Sequence, residues 1–360
     1  MAGVYVSIPF CAQKCTYCNF ASGVFPAALE ADYYRVLRGE IAAHPWEWIP
    51  ETVYFGGGSP SRTEASILAG LLEAMPGRPW REATLEAAPG DLTSDKVRVW
   101  RDAGVNRVSF GVQSFVKREL AQTGRKHTAE TVAADVTLLR EEGIANISVD
   151  LIAGLPHQTL ASFTESLDWV ERLALPHVSV YMLEVDEDSR LGAELLAGGQ
   201  RYGSAKVPGD DEIVAMYQLA VDRLGATGVP RYEISNFARP GYESLHNLKY
   251  WRLEPYVGFG ADAHGFDGLK RRQNAETAAE YVSRANMRLP LWTAETQADR
   301  EQERLLVGLR LAAGVEVAEL TPALSRYVDE GLLQRDGRVL RLTDRGVLLS
   351  NEVFEEFVTA

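Results

Sequence analysis

Short apolar runs alternate with amphipathic segments along the first two thirds of the chain. Six runs rich in β-branched and aromatic residues predict strands: GVYVSI, TVYFGGG, ATLEAAP, NRVSFGV, NISVDLI and HVSVYML. Between them, apolar residues three and four positions apart predict helices near 27–43, 62–74, 93–103, 128–142 and 159–173. Strands that alternate with helices in this way pair in parallel through crossover connections. The pattern therefore predicts an α/β fold built on a parallel sheet.

The chain from about residue 290 onward has a different pattern. The stretch EQERLLVGLRLAAGVEVAEL has helical periodicity, and the residues after it predict a helix, a glycine-containing hairpin and a second helix. We therefore expect a barrel over residues 1–240, a connecting segment over 241–290 and a small α+β domain over 291–360.

Composition and charge narrow the class of protein. Hydrophobic residues make up 46% of the 360 residues and charged residues 24%, as in ordinary globular proteins. The net charge of -13 weighs against broad nucleic-acid binding, which needs a basic face. The N-terminal MAGVYVSIPF lacks the basic start of a secretory signal, and the apolar LLVGLRLAAGV is interrupted by Arg310 and is too short to span a bilayer. These features predict a cytoplasmic protein without an integral membrane segment, whose clustered cysteines serve as ligands or catalysts.

The three cysteines of the chain are Cys11, Cys15 and Cys18, in the array CAQKCTYC. A structural zinc site needs four ligands, and no second ligand pair follows, although a distant residue such as His44 could supply a fourth. A redox pair of Cys15 and Cys18 would leave Cys11 unexplained. A [4Fe-4S] cluster held by three thiolates would keep one iron open for a substrate or cofactor. We expect the cluster.

This array, placed directly after the first predicted strand, resembles the signature of radical S-adenosylmethionine (SAM) proteins. The resemblance implies a partial (β/α)6 TIM-like barrel and a cluster whose open iron is chelated by the methionine part of SAM. Reduction of the cluster then cleaves SAM to a 5'-deoxyadenosyl radical, so an electron donor of the flavodoxin or ferredoxin type is expected. In such barrels the functional groups gather at the carboxyl ends of the strands.

Polar residues at the predicted strand ends match the family's SAM contacts. From the residues alone, FGGGSPS is a tight turn, and Glu86 and Arg125 could be charged side chains in solvent. Asp150 is different, because it is an acid inside an apolar strand and its burial without a polar partner would be costly. The resemblance assigns Glu86 and the glycine stretch to the amino group of SAM, Arg125 to its carboxylate, Asp150 and Gln113 to the ribose, and Ile152 and Tyr17 to the adenine. The complete set is Tyr17, Gly57, Gly58, Ser59, Glu86, Gln113, Arg125, Asp150 and Ile152. Ala88 replaces the Asn usual in the family, which would remove a secondary polar contact.

The second half contains RYEISNFARPGYESLHNLKYW and YVGFGADAHGF. Both stretches resemble the coproporphyrinogen III dehydrogenase-like branch of the superfamily, and within it the HemW type of heme chaperone. The type's H-N-x-x-Y-W motif is present as His246, Asn247, Tyr250 and Trp251. An imidazole can ligate heme iron and flat rings can stack on the macrocycle. From the residues alone, a helix start with buried aromatic residues and a hydrogen-bonded histidine is the alternative. The same resemblance implies a winged-helix-like C-terminal domain, expected to serve as a lid or partner surface.

Two departures separate the chain from the dehydrogenase. That enzyme has a fourth cysteine where this chain has Phe20, and a longer segment ahead of the cluster than the ten residues before Cys11. Both favour a chaperone that carries heme to acceptor proteins, including respiratory proteins at the membrane, so the chain is expected in the cytoplasm or at the membrane periphery. The alternatives are oxidative decarboxylation of coproporphyrinogen III to protoporphyrinogen IX and a radical SAM reaction on another substrate. Whether the protein is an enzyme stays open.

The stretch GFGADA fits the dinucleotide pattern G-x-G-x-x-A, but the strand–helix setting which that pattern needs is not evident. His264, directly after it, is a second candidate for heme binding or for a hydrogen bond in the core.

Overall fold

The structure is a computed structural model that describes residues 2–358. Its strands are β1 (Ala2–Ile8), β2 (Pro50–Gly57), β3 (Glu82–Ala87), β4 (Arg107–Gln113), β5 (Asn146–Ala153), β6 (His177–Met182), β7 (Asn236–Ala238), β8 (Tyr256–Phe259), β9 (His264–Phe266), β10 (Lys270–Asn274), β11 (Trp292–Gln297), β12 (Val315–Glu316), β13 (Leu333–Asp336) and β14 (Val339–Leu342). Its helices are α1 (Ala27–Ala43), α2 (Ala65–Glu73), α3 (Ser94–Ala103), α4 (Lys117–Thr123), α5 (Ala129–Glu141), α6 (Leu160–Arg172), α7 (Arg190–Leu196), α8 (Asp210–Ala226), α9 (Leu245–Trp251), α10 (Ala278–Asn286), α11 (Arg300–Gly308), α12 (Pro322–Asp329), α13 (Asp344–Leu348) and α14 (Ser350–Glu355).

Strands β1 to β6 lie side by side in chain order, and each is parallel to the next. Helices connect them, as the alternation of apolar runs and amphipathic segments predicts, and the predicted α/β fold with a parallel sheet is confirmed. Because the strands are parallel, their carboxyl ends meet at one edge of the sheet. The cysteine loop and the polar strand ends therefore share that edge.

The same sheet continues beyond the six strands. β7 pairs antiparallel with β6 at one end, while β8 adds in parallel to β1 at the other and is followed by antiparallel β9, β10 and β11. The segment 241–290, expected as a connection, thus contributes three strands to the main sheet. These strands are three to five residues long and carry glycine or charge, so their sequence has no clear alternation.

Burial on both faces makes the central strands almost continuously apolar. Val4, Val6 and Ile8 of β1 are fully buried, as parallel strands covered by helices require. The covering helices have ordinary start and stop signals: in α3, the Thr93 hydroxyl accepts a hydrogen bond from the backbone N–H of Lys96, and Gly104 ends the helix with φ of 112°. This packing fixes the strand ends that carry the site.

The C-terminal part contains a separate antiparallel sheet with the strand order β12-β14-β13, accompanied by α12, α13 and α14. The observed order of helix, hairpin and helices matches the predicted pattern. Within residues 2–358, none of the helices is both long and apolar enough to cross a bilayer.

Candidate cluster and cofactor site

The cysteine loop begins two residues after β1 ends and is tied down at both ends by backbone hydrogen bonds. Cys11 N–H donates to the Gly23 carbonyl at 2.8 Å, and Gly23 N–H donates to the Pro9 carbonyl at 2.9 Å, which closes the loop on itself. From the end of β2, Gly58 N–H donates to the Ile8 carbonyl at 2.7 Å and Ser59 N–H to the Phe10 carbonyl at 2.9 Å. The glycine stretch thus fixes the start of the loop.

Gly58 has no room for a side chain. A Cβ atom at this position would lie 2.8 Å from both the backbone N and O of Phe10, and 2.9 Å from the Ile8 carbonyl oxygen. The nearest atoms are all backbone, so they could give way only by moving the segment that leads into Cys11. The glycine is therefore required by the close approach of two chain segments.

The three thiols are free and half-buried. The Cys18 sulfur lies 4.0 Å from the Ser22 hydroxyl. Burial raises the pKa of the Cys11 thiol above its ordinary value, although hydrogen bonds from Ser22 and Ser59 act in the opposite direction. No three His, Cys, Asp or Glu side chains in the described chain converge closely enough to hold one metal ion. A four-iron cluster takes each thiolate on a different iron, so three thiols spread over one loop fit it better than they fit a single ion.

Glu86, near the end of β3, is a half-buried carboxylate that faces the same edge. Its Oε1 accepts a 2.9 Å hydrogen bond from the Tyr54 hydroxyl and its Oε2 a 3.1 Å bond from Gly57 N–H. Burial, and then the nearby Asp150 carboxylate, raise the pKa of Glu86 to about 7. An acid of this kind is stabilised in its charged form by a cationic ligand, and SAM, a sulfonium, has that charge.

Arg125 connects the fourth strand to the cysteine loop. Its guanidinium donates to the Tyr17 hydroxyl at 3.2 and 3.1 Å and to the Gly111 carbonyl at 2.6 Å. Burial acts to lower the pKa of Arg125, but the neighbouring Tyr17 and Cys15 groups raise it overall. The structure therefore brings two of the predicted SAM contacts, Tyr17 and Arg125, together beside the loop.

Asp150, Ile152 and Gln113 lie on the adjacent strands β5 and β4. Asp150 is half-buried and accepts a 3.4 Å hydrogen bond from the Ser109 hydroxyl, and its partial removal from solvent raises its pKa. Ile152 follows two residues later on the same face of β5 and is 7% exposed. In the sheet, Gln113 pairs with Leu151, the neighbour of Asp150. The Gln113 and Arg125 side chains both lie over Gly111, because a Cβ added to that glycine would be 3.1 Å from the Gln113 side-chain nitrogen and 3.3 Å from an Arg125 nitrogen.

A cavity of about 140 Å³ opens between Glu86 and the cysteine loop. Its walls include Phe20 and Ser22 from the loop, Glu86 from β3, and two residues not identified from the sequence, Tyr5 and Asp262. Asp262 follows β8, whose parallel pairing with β1 brings it to the same edge. Recognising YVGF as a strand is the signal that would have placed Asp262 here.

The residues of the H-N-x-x-Y-W motif form most of α9, whose first turn is held by a buried acid. The Glu82 carboxylate accepts hydrogen bonds from the backbone N–H groups of Leu245 and His246, both at 2.9 Å, and from the Ser244 hydroxyl at 3.4 Å. Ser244 in turn accepts a 3.3 Å bond from the backbone N–H of Asn247, which is half-buried. The motif therefore starts a helix that is anchored to β3.

His246 is fully buried inside the barrel. Its Nδ1 lies 2.9 Å from the Thr52 hydroxyl and its Nε2 lies 2.8 Å from the Tyr250 hydroxyl. Burial, and then the nearby Lys249 charge, lower the pKa of His246 to about 3, so the ring is neutral. Both ring nitrogens are occupied, which is the hydrogen-bonded arrangement that the residues alone left as the alternative to a heme ligand.

Tyr250, whose hydroxyl meets His246, and Trp251 line a cavity of about 460 Å³. The other walls are mostly apolar, from Leu253, Tyr256, Phe266, Leu306 and Val307, with Arg271 and Glu303 as the charged members. The structure thus separates the motif into a buried histidine and two aromatic residues that face a cavity.

The GFGADA stretch joins strand β8 to strand β9, so no helix follows its glycines and the dinucleotide arrangement is absent from this part of the structure. His264 is exposed at the start of β9.

Comparisons with known proteins agree with this geometry. The family model of the radical SAM superfamily matches residues 5–170. The heme chaperone HemW of Bacillus subtilis (strain 168) is 34% identical over 99% of this chain and 99% of its own length. HemW of Escherichia coli (strain K12) is 33% identical over 73% of this chain and 69% of its own.

A solved structure of coproporphyrinogen III oxidase (HemN) from Escherichia coli, described as a radical SAM enzyme, superimposes with a TM-score of 0.85. It is 22% identical and covers 99% of this chain and 89% of its own, so this likeness shows a shared fold. Family membership implies a [4Fe-4S] cluster and SAM, and the three free thiols with the half-buried carboxylates Glu86 and Asp150 provide groups suited to both. The chain belongs to the radical SAM superfamily and, within it, to the family of the heme chaperone HemW.

Proposed function

We propose that this protein binds heme and passes it to acceptor proteins, with a [4Fe-4S] cluster and SAM as its resident cofactors. The observation that supports this most is the cavity of about 460 Å³ beside Tyr250 and Trp251. Cavities that hold small molecules and cofactors span about 300–1,000 Å³. Full-length similarity to proteins named heme chaperone HemW supports the choice of ligand.

The chemistry of the cavity suits a flat, apolar macrocycle. Tyr250 and Tyr256 pack edge to face with ring centroids 4.7 Å apart, and Trp251 adds a third ring. Aromatic rings of this kind offer large stacking faces. Arg271 donates a 2.8 Å hydrogen bond to Glu303 at the cavity wall. We propose that heme stacks against Tyr250 and Trp251.

His246 lies directly behind Tyr250. An axial bond from His246 to iron requires its ring to give up the hydrogen bond to the Tyr250 hydroxyl. In the conformation described, heme meets Tyr250 and Trp251 first, and His246 fixes the position of the tyrosine ring. The role of His246 as iron ligand stays a prediction, attached to a movement of Tyr250.

The cysteine loop and its surroundings form the second part of the proposal. Cys11, Cys15 and Cys18 would hold the cluster, Glu86 would face the cationic part of SAM, and Arg125 with Tyr17 would close the site beside the loop. When bound, the two cofactors supply a reductive route to a carbon radical. The residues themselves would hold the ligand and keep the two half-buried carboxylates, Glu86 and Asp150, close to its positive charge.

The partners follow from the proposed transfer. Acceptors are heme-binding respiratory proteins, reached from the cytoplasm at the membrane periphery, and a flavodoxin- or ferredoxin-type protein donates electrons to the cluster. Neither contact requires a membrane-spanning segment.

Heme titration into anaerobically reconstituted protein tests the proposal. We expect a shifted Soret band at one heme per chain, weakened in Trp251→Ala and kept in Trp48→Ala, which changes a tryptophan away from the cavity. Transfer to an apo-acceptor should follow on mixing. Turnover of coproporphyrinogen III with reductant and SAM, without heme binding, would instead favour the decarboxylation reaction.

A further inference from the structure

A third cavity, of about 330 Å³, lies between the end of the main sheet and the C-terminal sheet. It shares no lining residue with the two cavities described above. Three arginines line it: Arg231 comes from the segment before β7, Arg310 from the segment after α11, and Arg341 from β14. Three cations thus line one cavity of a chain whose net charge is -13.

The Arg310 side chain has no hydrogen-bonding or ion-pair partner within residues 2–358. Its guanidinium lies over the Trp251 ring, 4.5 Å from the centroid, and 5.9 Å from the Phe354 centroid, while its buried Nε is unpaired. The buried Glu233 carboxylate acts on it only through space: burial raises the pKa of Glu233, and the charge of Arg310 opposes that rise. A buried guanidinium donor without an acceptor calls for an explanation.

The other two arginines form ion pairs with solvent-exposed carboxylates, and Arg231 also has the Tyr217 hydroxyl as a neighbour. Arg231 pairs with Asp344 at 3.2 Å and Arg341 with Asp336 at 3.3 Å, and the two aspartate side chains are 78% and 76% exposed. Because each aspartate is exposed to solvent, which screens its charge, these pairs leave the two guanidinium groups able to exchange partners. The Nε of Arg341 is also buried without a hydrogen-bond partner. Asp344 is the one carboxylate among the described lining residues, so the cavity has an excess of positive charge.

We propose that this cavity binds a carboxylate or phosphate group, held by the forked donors of Arg310 and Arg341 together with Arg231. Guanidinium groups bind both kinds of oxyanion in a bidentate manner. The group can belong to a free small anion or to the acidic side chains of a larger ligand in the neighbouring aromatic cavity. The two cavities adjoin at Trp251, which lines the aromatic cavity and carries Arg310 on its ring. The second source, in which heme supplies its propionates, rests on the function proposed above.

The test uses the full reconstituted chain and four probes. Succinate and inorganic phosphate represent free anions, and heme is compared with heme dimethyl ester, in which both propionates are neutral. Arg310→Gln and Arg341→Gln remove one charge each from the cavity. Arg338→Gln removes the same charge from the exposed β13–β14 turn and is the matched control. Circular dichroism checks folding, and because the Arg341 side chain is 35% exposed, that variant decides the matter if Arg310→Gln does not fold.

If the source is a free anion, succinate or phosphate binds the native chain, and both cavity variants weaken binding by about tenfold or more, as expected for a lost charge-assisted pair, while the control does not. If the source is heme, the native chain prefers heme over its diester by a similar factor, and the variants abolish that preference. The proposal is overturned if no free anion binds in an arginine-dependent way and heme and diester bind equally. If heme fails to bind in either form, the proposed function fails, and the free-anion titrations alone decide this inference.

Discussion

The Tyr54 hydroxyl donates a 2.9 Å hydrogen bond to the Glu86 carboxylate, inside the barrel and beside the cavity that borders the cysteine loop. This bond stabilises the charged form of Glu86, and it acts against burial and the Asp150 charge, which together raise the pKa of Glu86 to about 7. The protonation state of Glu86 therefore changes near neutral pH.

We expect SAM affinity to rise by about tenfold between pH 6 and pH 8, because a positive ligand favours the ionised Glu86. Equilibrium binding to the reconstituted protein measures this. Glu86→Gln should bind weakly at all pH values with a flat profile, and Tyr54→Phe should move the midpoint to higher pH. A native profile as flat as that of Glu86→Gln would contradict the assignment.

The same carboxyl group should affect the stability of the ligand-free protein in the opposite direction. The pKa of Glu86 is higher in the folded chain than in the unfolded chain, so the folded state binds the proton more strongly. Protonation of Glu86 therefore stabilises the fold at low pH, and this stabilisation is lost as pH rises from about 4.5 to 7. Urea unfolding across this range should show a smaller decline in Glu86→Gln than in the native chain.

Gly58→Ala should impair cluster assembly, because the new Cβ would lie 2.8 Å from the Phe10 backbone that leads into Cys11. We expect a clear loss of iron after reconstitution. Gly39→Ala is the matched control: this glycine is exposed on α1 with nothing within 4 Å of the added Cβ, and the change should leave the iron content intact. Equal iron in both variants would remove the structural role given to Gly58.

Arg125→Lys keeps the charge but cannot reproduce the forked contact with the Tyr17 hydroxyl and the Gly111 carbonyl. We expect SAM affinity to fall by about 10- to 100-fold, the range for loss of a charge-assisted hydrogen bond. The exposed Arg38→Lys on α1 should be neutral. Unchanged affinity in Arg125→Lys would mean that the guanidinium only supports the loop.

Glu82→Gln should destabilise the fold. The Glu82 carboxylate is buried, holds the first turn of α9 and lies 4.0 Å from the buried Arg107 guanidinium. Breaking such a pair costs about 3–5 kcal/mol. Urea unfolding should show this loss, while the exposed Glu73→Gln stays within about 0.5 kcal/mol of the native chain. A loss as small as that of the control would show that Arg107 and α9 do not depend on the charge.

The barrel could be predicted because its sequence signals are local. The apolar run NISVDLI forms β5 at 146–153, and the amphipathic segment 27–43 forms α1 with the predicted bounds. Strand β8 was missed because YVGF is only four residues long and its partner, β1, lies about 250 positions earlier in the chain. Asp262 was missed for the same reason, since only that pairing brings it to the cysteine loop.

The motif residues show what a sequence pattern leaves undetermined. H-N-x-x-Y-W fits either a heme ligand or a buried hydrogen-bonded histidine, and the decision depends on Thr52, which is 194 positions away and occupies Nδ1 of His246. The arginine cavity likewise brings together Arg231, Arg310 and Arg341 from three distant segments. In both cases the residues are far apart in the chain, so no short stretch of sequence predicts that they meet.

The central claim is that the thiols of Cys11, Cys15 and Cys18 hold a cluster with one open iron. Iron and acid-labile sulfide per chain, measured after anaerobic reconstitution, test it most directly. The account predicts about four of each in the native protein, as a [4Fe-4S] cluster requires, and a loss of both in Cys18→Ser. A colourless protein that holds one zinc ion and no sulfide would contradict it.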